Sequence, residues 1–146
     1  MINAQVLIIL REGMKEKRLR HHHLLCTQTF TGKGYDYRFV ANMEDVVEAL
    51  GSPKDLVIHL SIGSDDICSL CPNEVRGLCR DESSVIEKDR SAAMFLDIPE
   101  EAVIPAEQLI KKVRERLQGL DDFRLICGEC EWLDLCNEQL AFIKNK

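Results

Sequence analysis

Aromatic side chains are scarce in this chain. One Trp, two Tyr and five Phe make up 5% of 146 residues, so the core has to be assembled from Leu, Ile and Val. With hydrophobic residues at 45%, the composition is nonetheless that of a globular protein. Long apolar runs are missing as well: Val6 to Leu10 is too short to span a bilayer and too short for a secretory leader with its cleavage site. No membrane association is expected, and the expected compartment is the cytoplasm. A surplus of basic charge is also lacking. At a net charge of −6 and a pI near 5.2, the phosphate-neutralising surface that dominates nucleic-acid affinity is not evident, so nucleic acid is not expected as a partner. The one basic stretch, Arg11 to Arg20, is diluted by Glu12 and Glu16 and reads as a solvated terminal segment.

Common catalytic signatures are absent too. No Ser/His/Asp set, nucleotide loop or paired-carboxylate site stands out. Thr31-Gly32-Lys33-Gly34-Tyr35 lacks both P-loop spacing and a preceding strand, and reads as a turn.

What is present suffices for one domain, because a chain of this length buries roughly 68–70% of the surface its unfolded form exposes. Residues 1–13 carry none of the features below and are expected to be an N-terminal extension; residues 14–146 then form a single metal-binding domain. Leu19 to Phe30 has the length of about three helical turns and ends at the Gly32-Lys33-Gly34 punctuation, which puts His22 and Cys26 on one helix face. Phe39, Met43, Val46, Val47 and Leu50 recur at helical spacing before Gly51 and Pro53. Leu56 to Leu60 is short and β-branched and reads as a strand. Ser84 with Glu87 resembles a capping box opening a helix to about Leu96. Pro105 precedes the stripe Leu109, Ile110, Val113 and Leu117, and a short helix is expected over Glu138 to Ile143. The expected fold is α+β and mainly helical: a small single domain with one short strand region and with the cysteine triads on loops.

The seven cysteines are the chemical signal. Cys68-Ser69-Leu70-Cys71 runs on to Leu78-Cys79, and Cys127-Gly128-Glu129-Cys130 runs on to Leu135-Cys136, so the triads look like two copies of one local design. In a reducing compartment such clustering argues for metal or redox chemistry rather than a disulfide framework. Closely spaced thiolates let one loop curl around several corners of an iron-sulfur cluster. Each triad is one ligand short of four. Cys26 supplies one more thiolate, assigned here to the first triad, and His22 or His23 is available as the eighth ligand or as an outer support, since Cys26 shares a face with them. His21 and His59 are not expected to ligate. Asp65-Asp66 reads as a turn cap or as an acceptor orienting the first triad. Trp132 is expected to shield the second triad's centre or to fill core. Zinc is the competing metal, because soft thiolates also select it; zinc ribbons, however, usually pair two separated Cys-x-x-Cys units rather than confine each ligand set to a dozen residues.

These blocks resemble domain-of-unknown-function family 1284, found in bacteria and archaea. The resemblance runs from Leu19 to about Cys136 through Leu19 to Cys26, Gly32 to Tyr35, Phe39 to Met43, Asp65 to Cys68 with Cys71-Pro72, and Cys127/Cys130/Trp132/Cys136. It implies an iron-sulfur protein. The segment Cys127 to Cys136 alone is also similar to auxiliary-cluster loops of radical enzymes that use S-adenosylmethionine; the chain lacks the three-cysteine signature and the barrel length of those enzymes. Three function classes remain open: a redox or electron-transfer protein with one or two 4Fe-4S centres and a redox partner protein, a cluster-dependent enzyme with an open iron, and a zinc-stapled binding module.

Overall fold

Apolar periodicity builds the larger helices. A computed structural model describes the protein over residues 15–32, 35–61, 65–75, 78–79, 82–128 and 132–144. The expected extension at residues 1–13 lies outside them. In chain order the elements are β1 (Lys15–Leu19), α1 (His21–Thr29), α2 (Tyr37–Gly51), β2 (Leu56–Leu60), a 3-10 turn at Cys68–Leu70, β3 (Glu74–Val75), β4 (Leu78–Cys79), α3 (Glu82–Leu96), β5 (Ala102–Pro105), α4 (Ala106–Leu117), α5 (Arg124–Cys127) and α6 (Leu133–Lys144). The fold is α+β and mainly helical, as the sequence indicates.

β2 is the centre of a three-stranded sheet in the order β1-β2-β5, parallel to β1 and antiparallel to β5. Leu56, Val57, Ile58 and Leu60 are buried, which is why a five-residue run with little polar character takes the central position. Among the described strands, charged β1 and Pro105-bearing β5 occupy the outer positions, where a proline's missing N–H is tolerated. Asp36 caps α2 by accepting from the Phe39 N–H at 2.8 Å, and Met43, Val46 and Leu50 form its buried stripe. Leu109, Ile110, Val113 and Leu117 do the same for α4, with Pro105 at its N-cap.

α1 lies at the centre of the helical layer, packed against α2, α3, α4 and α6. Its sequence gives little warning of this, because His21, His22, Thr27 and Thr29 are buried alongside Leu24 and Leu25. A helix with buried polar residues survives at the centre only if those residues are paired inside the protein.

Several expectations need correction. The basic stretch is solvated only in part: residues 11–14 lie outside the described ones, and Lys15, Glu16 and Arg18 are exposed, but Lys15–Leu19 pairs with β2 from Lys15↔Leu56 to Leu19↔Leu60, and Leu19 and Arg20 are fully buried. α3 begins at Glu82, so Ser84 lies inside the helix and exposed rather than capping it. α6 begins at Leu133, five residues before the expected Glu138, which moves Cys136 from a loop into its first turn. Cys127 closes α5, and Cys68 opens the 3-10 turn. Short polar-rich segments of this kind carry no clear periodicity, and their helicity comes from packing.

Candidate metal centre

Cys26, Cys68, Cys71, Cys127 and Cys136 all line one cavity of about 170 Å³, together with His22 and His23. The sulfurs therefore come from α1 and from both triads. The Cys79 side chain and the whole of Cys130 lie outside what is described.

The first triad is positioned by buried aspartate. Asp65 Oδ1 accepts from the Cys68 N–H at 2.8 Å, which caps the 3-10 turn, and Oδ2 accepts from the Arg20 N–H at 2.6 Å and from His23 Nδ1 at 2.7 Å. Burial opposes ionisation of this carboxyl, but His23 and the two backbone donors outweigh it and hold its pKa well below the ordinary carboxylate range. Asp65 thus does both things expected of it, capping a turn and orienting the triad. Asn42 Nδ2 adds a tie from α2, donating to the Asp66 carbonyl at 2.7 Å.

A second buried carboxylate holds the other histidine. Asp89 Oδ1 accepts from His22 Nδ1 at 2.6 Å, and Asp89 Oδ2 accepts from Arg20 Nε at 2.7 Å. Burial would raise the Asp89 pKa; the bonds from His22 and Arg20 lower it instead. Arg20 shows the complementary balance, since burial works against its charge while Asp89 and the Cys68 sulfur raise its pKa. Asp89 was not legible as a site residue. Its signal was nevertheless present, because Val85, Asp89, Ala92 and Leu96 share one helix face and a charge within such a stripe requires a buried partner.

Each histidine is therefore held through Nδ1 by a carboxylate, which fixes the proton there and leaves Nε2 with its lone pair. Neither Nε2 has a hydrogen bond among the described residues. Burial and the neighbouring His23 push the His22 pKa down to about 4 despite Asp89, so this ring is neutral and competent to ligate. The ring centroids are 4.2 Å apart. The three-histidine run is thus not a solvated helix start: His21 is fully buried with Nε2 2.9 Å from the Pro99 carbonyl, and His59 pairs with Glu16 at 3.0 Å on the sheet. Neither of these two lines the cavity.

The second triad is held from the outside. Asn137 Oδ1 accepts from the Phe123 N–H at 2.9 Å while its Nδ2 donates to Asp122 Oδ1 at 2.9 Å, clasping α5, which ends in Cys127, to α6, which carries Cys136. The chain leaves α5 through Gly128 at φ +60° and ψ −136°, a conformation that L side chains avoid. Thr29 Oγ1 lies 3.3 Å from Cys136 Sγ and links α1 to this triad. The rest of the wall is apolar and aromatic. Trp132 lines it with Tyr35 and Phe39, and Tyr35 meets both rings edge-on at 5.6 Å and 5.2 Å.

The donor chemistry is soft. The oxygens of Asp65 and Asp89 are taken up by backbone, imidazole and guanidinium donors, which leaves sulfur and imidazole nitrogen for a metal and disfavours Mg²⁺ or Ca²⁺. Burial and the Asp65 charge push the Cys68 thiol up to about 12 against the help of Arg20, so a metal there has to displace a proton.

The sequence profile of a family described as proteins of unknown function (DUF1284) matches residues 34–136. The chain belongs to this family. The match includes both triads, the Asp65-Asp66 turn, Asp89 and Trp132, and it begins after the block Leu19 to Cys26 that supplies Arg20 and the two histidines. Neither a curated protein nor a solved structure matches the chain.

Proposed function

We propose that this protein holds an iron-sulfur centre of the 4Fe-4S type in the cysteine-lined cavity and serves in electron transfer with a redox partner protein. The observation that carries this reading is the convergence of all five described cysteine side chains on a single cavity. A cubane takes four thiolates, so one centre is within reach of Cys26, Cys68, Cys71, Cys127 and Cys136, with Cys79 and Cys130 in the same triads. The same convergence favours one centre, or two adjoining ones, over two distant sites.

The size of the cavity supports a cluster over a single zinc ion. The cavity offers about 170 Å³, where about 10–15 Å³ suffices for a water molecule. When bound, the cluster would accept and donate one electron at a time. The protein's own residues hold the thiolates, exclude water through Trp132, Tyr35 and Phe39, and place the imidazoles at one wall.

A second reading, a cluster-dependent enzyme, is favoured by the anchored histidines, whose Nε2 lone pairs are available as ligand or base to a molecule on an iron that lacks a thiolate. An added thiolate or small anion that changes the electron paramagnetic resonance of the centre would select it. The primary test is anaerobic purification with metal and sulfide analysis. Brown protein containing iron and acid-labile sulfide is expected, whereas colourless protein with stoichiometric zinc would establish the zinc-stapled module instead.

A further inference from the structure

The Arg20 guanidinium is fully buried, yet its Nη1 has no hydrogen-bond partner. The other two nitrogens are engaged, Nε with Asp89 at 2.7 Å and Nη2 with Glu82 at 3.4 Å. Buried charged donors are seldom left unpaired, because each then bears its full desolvation cost. Cys68 belongs to the same buried network. The Arg20 and Cys68 backbone N–H groups bond the same carboxylate, Asp65, and the guanidinium and thiol act on each other.

We propose that Arg20 Nη1 donates a charge-assisted hydrogen bond to the Cys68 sulfur when Cys68 is a thiolate ligand, and that this bond raises the reduction potential of the centre. The inference rests on the iron-sulfur reading above. A neutral thiol is a weak acceptor, whereas a ligating thiolate carries charge and matches a cationic donor. Reduction adds negative charge to the centre, and a fixed cation at one ligand stabilises the reduced form more than the oxidised one. On the opposite wall, the neutral hydroxyl of Thr29 lies 3.3 Å from the Cys136 sulfur. The guanidinium is held by the carboxylates of Asp89 and Glu82 and the Arg20 backbone by that of Asp65, so the donor is in place before the metal arrives.

The test compares Asp89→Asn with the double variant Arg20→Met/Asp89→Asn, each loaded with iron and sulfide. The first keeps the guanidinium and an oxygen acceptor for His22 Nδ1, while the second removes the guanidinium without stranding a buried carboxylate. A lower midpoint potential in the double variant at equal iron content is expected, and equal potentials at equal iron content overturn the proposal. If the double variant does not load, pulsed electron paramagnetic resonance of the reduced wild-type protein labelled with ¹⁵N-arginine decides the matter. A ¹⁵N coupling from arginine supports the bond, and its absence refutes it. Wild-type protein without iron or sulfide refutes the iron-sulfur reading itself.

Discussion

The two cysteine triads share a spacing of Cys-x-x-Cys followed by Leu-Cys, but the protein supports them by opposite means. The first hangs on buried charge: Asp65 and Asp89, joined through Arg20, gather the Cys68 turn, both histidines and the start of α1 into one internal network. The second is gripped from the surface by Asp122 and Asn137, which bond two helices whose cysteines face inward. Similar sequences therefore became different structures, a 3-10 turn in one and the ends of two helices in the other. The lesson is that ligand spacing specifies which atoms are offered, and that neighbouring elements specify how rigidly they are offered.

The largest effect expected from breaking this comparison comes from Asp89→Ala. It strands the buried Arg20 guanidinium and should cost about 3–5 kcal/mol, read as a lowered urea midpoint at unchanged slope, and iron should be lost with it. A cost near that of a surface substitution would mean that the buried network is not what holds the first triad.

Cysteine substitutions on either side sharpen the comparison next. If both triads feed one cavity, Cys71→Ala and Cys136→Ala should each strip most of the iron by metal analysis, because neither wall alone offers a full ligand set. Loss of about half the iron from each, additive in the double variant, would establish two independent centres.

Asn137→Ala removes two hydrogen bonds from the outer clasp and should cost roughly 1–2 kcal/mol by urea unfolding. The contrast with Asp89→Ala is the quantitative form of the inside-versus-outside distinction. Equal costs would erase it.

The smallest effect is a pH dependence. Asp122 is half-buried; the Arg124 N–H and the Asn137 amide hold its carboxyl below the ordinary 3.8, against the opposing effect of burial. A carboxyl depressed in the folded state contributes stability that is fully present above its unfolded pKa and is lost as pH falls through the lower folded value. Urea midpoints measured from pH 5 downward through this range should therefore fall less steeply in Asp122→Asn than in the wild type. Identical slopes would show that the clasp owes nothing to the carboxylate charge.

By itself, the sequence determined the parts whose signal is local. The stripes Met43, Val46, Leu50 and Leu109, Ile110, Val113, Leu117 dictate helices wherever they are placed, and Leu56 to Leu60 dictates a strand, because periodic apolar residues need one continuous buried face. The soft character of the site was equally local, since thiol and imidazole chemistry does not depend on fold. Tertiary structure decided what those donors form together. The bonds that assemble the cavity join Arg20 to Asp65 across 45 residues, His22 to Asp89 across 67 and Thr29 to Cys136 across 107. No spacing rule reaches that far. Arg20 and Lys15–Leu19 look like a solvated segment in isolation because charge favours water; Arg20 is interior because Asp89 supplies a counter-charge, and the backbone of Lys15–Leu19 is paired because β2 supplies a ladder, partners that only the folded chain brings within bonding distance.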